Sequence, residues 1–131
     1  MTIYNAPIDD MNFLLNEVLG MEEIAKYPGY EEATPDMVDA ILGEAARFFG
    51  DVLAPTNSVA DGQGSKLDGT TVVTAPSLDG IYQQMVAAGW PSLAGDPNYD
   101  GQGMPQLLAF AVDEMCQSAN MAFGLLPILT Q

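Results

Sequence analysis

The fold of this chain is decided by residues 89–131, which read GWPSLAGDPNYDGQGMPQLLAFAVDEMCQSANMAFGLLPILTQ. A loop rich in glycine, aspartate and proline is followed by two apolar helical patterns. The second pattern, residues 121–129, is almost free of polar side chains. Exposing such a helix to water forfeits about 25 cal/mol per Å² of apolar area and favours association. We therefore expect it to be buried, either in this domain or against another part of a larger protein.

Two amphipathic helices are predicted upstream of this region. Asp9 or Asp10 suits the start of the first, because either carboxylate can accept hydrogen bonds from free N–H groups there. Its apolar residues recur at helical spacing: Met11, Leu14, Leu15, Val18 and Leu19. The second is predicted to begin after Thr34, a good cap followed by proline, and to end at Pro55. One apolar stripe runs along it: Val38, Ile41, Leu42, Ala45, Phe49, Val52 and Leu53.

The composition changes in residues 55–76, where glycine, serine, aspartate and threonine dominate. The pair Asp68-Gly69 could turn a small hairpin. Two short strands alone are only marginally stable. We therefore expect this segment to form a long, exposed loop.

Three more helices are predicted towards the end of the chain. Ser77 can cap the first, Pro105 opens the second, and Ala119-Asn120 begins the third. The sequence contains no internal repeat and no strand-rich region that could form a larger sheet. It therefore predicts an all-α bundle of five or six helices with one long Gly/Ser/Asp-rich loop, and a single domain over residues 1–131.

The charge balance is strongly acidic. The net charge is −15, and only Lys26, Arg47 and Lys66 are basic. Nucleic acids are therefore excluded as partners, because their recognition needs several phosphate contacts. No stretch reaches the ~20 apolar residues of a membrane span, and no signal-peptide pattern is evident. A cytoplasmic location is the expectation.

The residues of this chain give little support for catalysis by the chain alone. Without histidine, it has no imidazole base to activate a serine or cysteine nucleophile. The single cysteine, Cys116, lies among apolar residues and is interpreted as a small packed side chain. Asp113 and Glu114 are adjacent and would not face each other on a helix, so we interpret them as solvated or interdomain residues. No catalytic residue is predicted.

Residues 96–101, DPNYDG, match the first six positions of an EF-hand calcium loop. Such a loop needs a bidentate glutamate at its twelfth position, and this chain has Leu107 there. A turn rich in aspartate, asparagine and glycine is the more common explanation, so no metal ligand is predicted. The alternative function is an independent acidic helical module that binds calcium or another protein.

The order of motifs in the last third of the chain resembles the acyl-CoA dehydrogenase family. Trp90 is followed by YDGQGMP at residues 99–105, which is similar to the tryptophan and GG-x-G-(L/M) loop of that family. The acidic step VDE and then SANMAF, ending at Phe123, are similar to the segment after the loop in the family. The loop departs from the family at Asp100, where a first glycine is usual, so the resemblance leaves the geometry of this loop open.

The opening of the chain is similar to one bacterial subgroup of the family. YNAP at residues 4–7 and DMNFLLNEVL at residues 10–19 resemble an extended N-terminus found in that subgroup, which includes dehydrogenases of 3-methylthiopropionyl-CoA. The resemblance implies an N-terminal extension over residues 1–33 and the N-terminal helical domain over residues 34–131. We therefore expect the chain to be a fragment of a longer enzyme.

The resemblance also implies the chemistry of that longer enzyme. In the family, a glutamate removes the α-proton of an acyl-CoA thioester while FAD takes hydride from the β-carbon. Both the glutamate and the FAD contacts would lie beyond Gln131, so the fragment alone is expected to be inactive and without bound FAD. The partners would be acyl-CoA, an electron-transfer acceptor and further copies in a homo-oligomer. Carried across by position, the residues lining the acyl-chain cavity would be Phe123, Gly124, Leu125 and Ile128.

Overall fold

The structure, a computed structural model, describes residues 4–129. Helical backbone forms six stretches in this range. These contain α1 (Ile8–Phe13), continued by a π-helical turn (Leu14–Val18); α2 (Met21–Ile24); α3 (Pro35–Arg47), continued by a π-helical turn (Phe48–Leu53) and a 3-10 turn (Ala54–Thr56) into α4 (Asn57–Gln63); α5 (Ile81–Ala87); α6 (Gln106–Ala119); and α7 (Met121–Ile128). The described strands, β1 (Lys66–Asp68) and β2 (Thr71–Val73), form one antiparallel pair. The all-α prediction is confirmed.

One hydrophobic core holds these helices together. The predicted stripe lies at its centre, where five of its residues are fully buried: Val38, Leu42, Ala45, Phe49 and Leu53. Leu108 and Met115 of α6 are fully buried in the same cluster. Ile81 and Met85 add the inner face of α5, and Phe123 adds that of α7. Each fully buried Leu or Phe side chain contributes about 1.5–3 kcal/mol.

The first helix contributes only part of its apolar pattern to this core. Met11 and Leu15 are buried, whereas Leu14, Val18 and Leu19 are about half exposed. Met21 of α2 is also fully buried in the same cluster. The described part of residues 1–33 therefore shares one core with the helices after it, and the division into an extension and a domain stays a prediction.

Two of the predicted helix starts are wrong. Helix α1 begins at Ile8, and Asp9 and Asp10 lie inside its first turn, with no side-chain hydrogen bond at the cap. Their carboxylates lie instead at the positive end of the helix dipole. Ser77 lies in a 3-10 turn (Pro76–Leu78), whereas α5 begins at Ile81 after Gly80.

The predicted start of α3 is confirmed in its atomic details. The Thr34 hydroxyl accepts a hydrogen bond of 3.3 Å from the Met37 amide, and Pro35 occupies the first helical position. The predicted end at Pro55 is wrong, because helical backbone continues through Gln63. A 3-10 turn accommodates the proline, which has no N–H to donate, and the Thr56 hydroxyl donates to the Leu53 carbonyl at 2.6 Å.

The segment after Pro55 is exposed, as predicted. Helix α4 contains no buried residue, and all six residues of the hairpin are exposed. The predicted hairpin forms, but its turn lies one residue later than expected, at Gly69-Thr70, because Asp68 still pairs with Thr71. Gly69 takes a positive φ of 60°, which glycine adopts without steric cost.

The loop between α5 and α6 is held by its own backbone. The amides of Gln102, Gly103 and Met104 donate to the carbonyls of residues 92, 95 and 93 at 2.9, 3.0 and 3.0 Å. Trp90 packs on the core side of this loop, with ring centroids 6.4 and 6.0 Å from those of the Phe48 and Phe49 rings. Within residues 4–129, no helix has the length and apolar character needed to cross a bilayer.

Candidate functional site

The junction between α6 and α7 is fixed by one buried asparagine. Asn120 is 1% exposed and takes an extended conformation between the two helices. Its side-chain oxygen accepts from the Phe123 amide at 3.2 Å, and its Nδ2 donates to the Thr56 hydroxyl at 3.1 Å. Asn120 therefore caps α7 and ties it to the 3-10 turn that precedes α4.

The structure does not bring the four predicted pocket residues onto one surface. Phe123 is 5% exposed and reaches the core, whereas Leu125 and Ile128 are 47% and 45% exposed. Gly124 is buried on the side of α7 that faces α6. The pocket role of these residues stays a prediction, and it would require another surface to cover Leu125 and Ile128.

Gly124 lies against the side chain of Gln117. A Cβ placed on Gly124 would lie 2.7–2.9 Å from the amide atoms of Gln117. Contacts this short require the neighbour to move. The missing side chain at Gly124 thus leaves room beside α7 for the terminal amide of Gln117.

An open groove of about 650 Å³ lies between α7 and the segment after Pro55. We call it the α4–α7 groove. Its apolar wall is formed by Ala122, Phe123 and Leu126 of α7, together with Ala75 and Leu78. The opposite wall carries small and polar side chains, and its described residues are Asn57, Ser58, Ala60, Asp61, Gly64, Ser65 and Thr74. A groove with one apolar and one polar wall suits a small amphipathic ligand.

The α4–α7 groove has an acidic character. Asp61 is the one charged residue among the described residues that line it. Elsewhere, Lys26 pairs with Glu23 at 2.5 Å, and Arg47 pairs with Glu44. The described residues that line the groove therefore offer no cation to the diphosphate of FAD or the phosphates of coenzyme A.

The loop that resembles an EF-hand is stabilised by its own side chains. The Asp96 carboxylate accepts from the amide and side-chain nitrogen of Asn98 at 2.8 and 2.9 Å. Asp100 has a positive φ of 63°, a conformation that Asp and Asn tolerate better than most residues. Residues 4–129 contain no group of three or more His, Cys, Asp or Glu side chains placed to hold a metal ion.

The ionisable groups on α6 differ in environment. Burial raises the pKa of the Cys116 thiol to about 12, with the Asp113 carboxylate adding to the rise. Partial burial also raises the pKa of Asp113, whereas Glu114 is exposed. A thiol with so high a pKa is a poor nucleophile, which agrees with the interpretation of Cys116 as a packed side chain.

Sequence reasoning missed most of the α4–α7 groove. Asn120 was recognisable as a helix start, but its partner Thr56 lies 64 residues earlier in the chain. No local pattern reports a contact over that separation. Asp61 and Thr74 lie in a segment whose composition indicated only a loop.

Comparison with known proteins identifies the relationship. No protein-family model matches the chain. Over 127 residues, 97% of its length, the chain is 33% identical to a 3-methylmercaptopropionyl-CoA dehydrogenase from Ruegeria pomeroyi. The chain is therefore similar to this acyl-CoA dehydrogenase along nearly its whole length. This finding confirms the resemblance that the Trp90 loop and the opening segment carried.

The relationship covers a limited part of that dehydrogenase. The chain spans only 22% of the length of the relative it matches. Most of the acyl-CoA dehydrogenase from Ruegeria pomeroyi therefore has no counterpart in these 131 residues. The helical fold and the α4–α7 groove belong to the matched part.

Proposed function

We propose that this chain is the N-terminal helical part of an FAD-dependent acyl-CoA dehydrogenase that introduces an α,β double bond into an acyl-CoA thioester. The identity of 33% over 97% of the chain to a named dehydrogenase carries this proposal. The all-α fold supports it, because the resemblance implied a helical domain. Residues 1–33 would be the N-terminal extension, and residues 34–131 the helical domain itself.

The role proposed for the chain is to form part of the acyl-chain pocket. Phe123 supports this role because it lines the α4–α7 groove. Leu125 and Ile128 present further apolar surface on the same helix, and Gly124 permits the close packing of that helix on α6. Apolar walls of this kind suit an acyl chain.

The catalytic groups are proposed to lie in the remainder of the enzyme. The acidic surface and the lack of a cation among the groove's described residues support this division. The glutamate base and the contacts to FAD and to the coenzyme A phosphates would then come from the rest of the polypeptide. An electron-transfer acceptor and a homo-oligomeric assembly are proposed for the whole enzyme, not for this chain alone.

The proposal is tested by dye reduction with acyl-CoA substrates. The 131-residue chain, supplied with FAD and an acceptor dye, is expected to show no turnover. A chimera in which this chain replaces the matched segment of the Ruegeria pomeroyi dehydrogenase is expected to reduce the dye. The unmodified relative serves as the positive control, and a version lacking the segment as the negative control.

Two results would contradict the proposal. Turnover by the 131-residue chain would show that the catalytic groups are in this chain. A folded chimera that binds FAD and remains inactive would show that the chain cannot replace the matched segment. The absorption of bound FAD separates that second outcome from a chimera that has failed to fold.

A further inference from the structure

The charge of the α4–α7 groove has a consequence for the ligand that it can accept. Its apolar wall, with Phe123 and Leu126, would contact a hydrocarbon chain. Its polar wall carries the Asp61 carboxylate, and no described lining residue carries a positive charge. A ligand with a carboxylate at its far end would place its negative charge in the same groove as the charge of Asp61.

We propose that Asp61 is a specificity-determining residue that excludes acyl groups with a terminal carboxylate from the α4–α7 groove. The occupant is an acyl chain with an uncharged end. This inference rests on the proposed function, because it assigns the groove to the acyl group of the same substrate. It goes beyond that function by placing a selective residue on α4, outside the four residues of α7.

The net charge of the chain also disfavours a ligand with a negatively charged end. With 18 acidic and 3 basic residues, the chain offers few cationic partners for the carboxylate of a ligand. Lys66 is the nearest basic residue to Asp61 in the sequence, but it is exposed on β1 and does not line the groove. The like charges of Asp61 and a ligand carboxylate would be exposed to water, so their repulsion is weak and is screened by salt. The expected discrimination is therefore several-fold and strongest at low ionic strength.

The small side chains of the groove leave room for an acyl chain. Ala75 and Ala122 line the groove, as do Ser58 and Gly64. Asn120 also lines it, but its side chain is already bonded to Thr56 and to the Phe123 amide. The polar groups left for a ligand are the Asn57 amide, the hydroxyls of Ser58, Ser65 and Thr74, and the Asp61 carboxylate, which is the one formal charge among them.

The test uses two thioesters of equal length with the uncharged pantetheine head group. Hexanoyl-pantetheine ends in a methyl group, and adipoyl-pantetheine ends in a carboxylate. Each is titrated into the isotope-labelled 131-residue chain, and chemical shifts are followed by NMR at residues 75, 122, 123 and 126. Hexanoyl-pantetheine is expected to bind about threefold to tenfold more tightly at about 10 mM salt, and the difference is expected to shrink at about 0.5 M salt.

The substitution Asp61→Asn isolates the role of the charge. It is expected to remove the difference between the two probes while leaving the affinity for hexanoyl-pantetheine within about twofold, because an exposed rim charge contributes little to packing. Asp51→Asn is the matched control. It makes the same charge change on the same helical stretch, in an exposed residue that does not line the groove, and it should preserve the difference.

Three outcomes would overturn the inference. The first is equal binding of the two probes at low salt, and the second is an equal effect of Asp51→Asn. In the third, neither probe shifts the groove residues, so the groove is not an acyl site in this chain. The activity of the chimera tests the proposed function separately. The chimera can therefore be active even if neither probe shifts the groove residues.

Discussion

A Cβ atom on Gly101 would lie 2.0 Å from the carbonyl carbon of Gly95 and 2.5 Å from its Cα. Both contacts are with backbone, which cannot rotate away as a side chain can. We therefore expect Gly101→Ala to lower the free energy of unfolding by about 2–3 kcal/mol, the upper part of the range for overpacking. Urea denaturation followed by circular dichroism measures the change.

Gly43→Ala is the control for this substitution. Gly43 lies inside α3, and a Cβ there would meet nothing within 4 Å. The same chemical change should therefore stabilise the chain by about 0.5–1 kcal/mol, because alanine loses less backbone entropy than glycine in a helix. If both variants shift stability in the same direction, the close contact between Gly101 and Gly95 is not a constraint in solution.

Cys116 gives a prediction about pH. Burial raises the pKa of its thiol from 9.0 to about 12, so the native state keeps the proton to higher pH than the unfolded chain. The stability from this group is complete below about pH 9 and declines as pH rises towards 12. At pH 8 the thiolate fraction should be about a thousandfold lower than in the unfolded chain. Iodoacetamide should accordingly modify native Cys116 far more slowly than the urea-unfolded protein, and equal rates would contradict the burial.

At the scale of the elements, the connection between α6 and α7 depends on Asn120. Its side chain caps α7 and also reaches Thr56 from a fully buried position. Removing a cap costs typically about 1 kcal/mol, and losing a buried hydrogen bond costs about as much again. Asn120→Ala should therefore lower the unfolding free energy by about 2 kcal/mol.

Thr34→Ala supplies the comparison for Asn120. Thr34 caps α3 through one exposed hydrogen bond of 3.3 Å and has no second partner of this kind among the described contacts. Its replacement should cost about 1 kcal/mol or less. Chemical denaturation of both variants tests the order, and an equal or larger loss for Thr34→Ala would show that the contact between Asn120 and Thr56 adds nothing.

The elements that could be predicted from the sequence are those specified by local chemistry. Thr34 followed by proline placed the start of α3 correctly, and Asp68-Gly69 placed the hairpin turn to within one residue. Ser77 was misleading because α5 begins later, at Ile81, directly after Gly80, which has a positive φ of 75°. Pro55 was misleading because it lies in a 3-10 turn, and helical backbone continues beyond it. In both cases the deciding feature was a local backbone conformation, left-handed at Gly80 and 3-10 at Pro55, and not the residue expected at a helix end.

For the molecule as a whole, the sequence predicted the core better than the groove. The apolar stripe of residues 38–53 lies at the centre of the core, because helical spacing alone determines which side chains share a face. The α4–α7 groove joins α4 to residues more than 50 positions later in the chain. Its formation depends on how helices pack, which no local pattern reports. The acyl-pocket role predicted for α7 rests on the family resemblance and not on periodicity.

The net charge of −15 leads to a prediction about salt. Repulsion among like charges destabilises the compact state, and salt screens it. The midpoint of thermal unfolding should therefore rise by several degrees between low salt and about 0.3 M NaCl, a range over which the Debye length shortens well below 10 Å. Differential scanning calorimetry measures this shift.

A comparison of divalent cations then separates screening from a specific calcium site. CaCl₂ and MgCl₂ at equal ionic strength should give equal shifts, because screening does not distinguish them, whereas a calcium cage needs six to eight oxygen ligands. The loop offers Leu107 in place of the bidentate glutamate, and one oxygen of the Asp96 carboxylate, Oδ1, already accepts two hydrogen bonds from Asn98. A selective rise with micromolar calcium would contradict this expectation and would favour an independent calcium-binding module. Asp96→Asn and Asp36→Asn complete the test, since only the first alters the loop, and both should respond alike to the two cations.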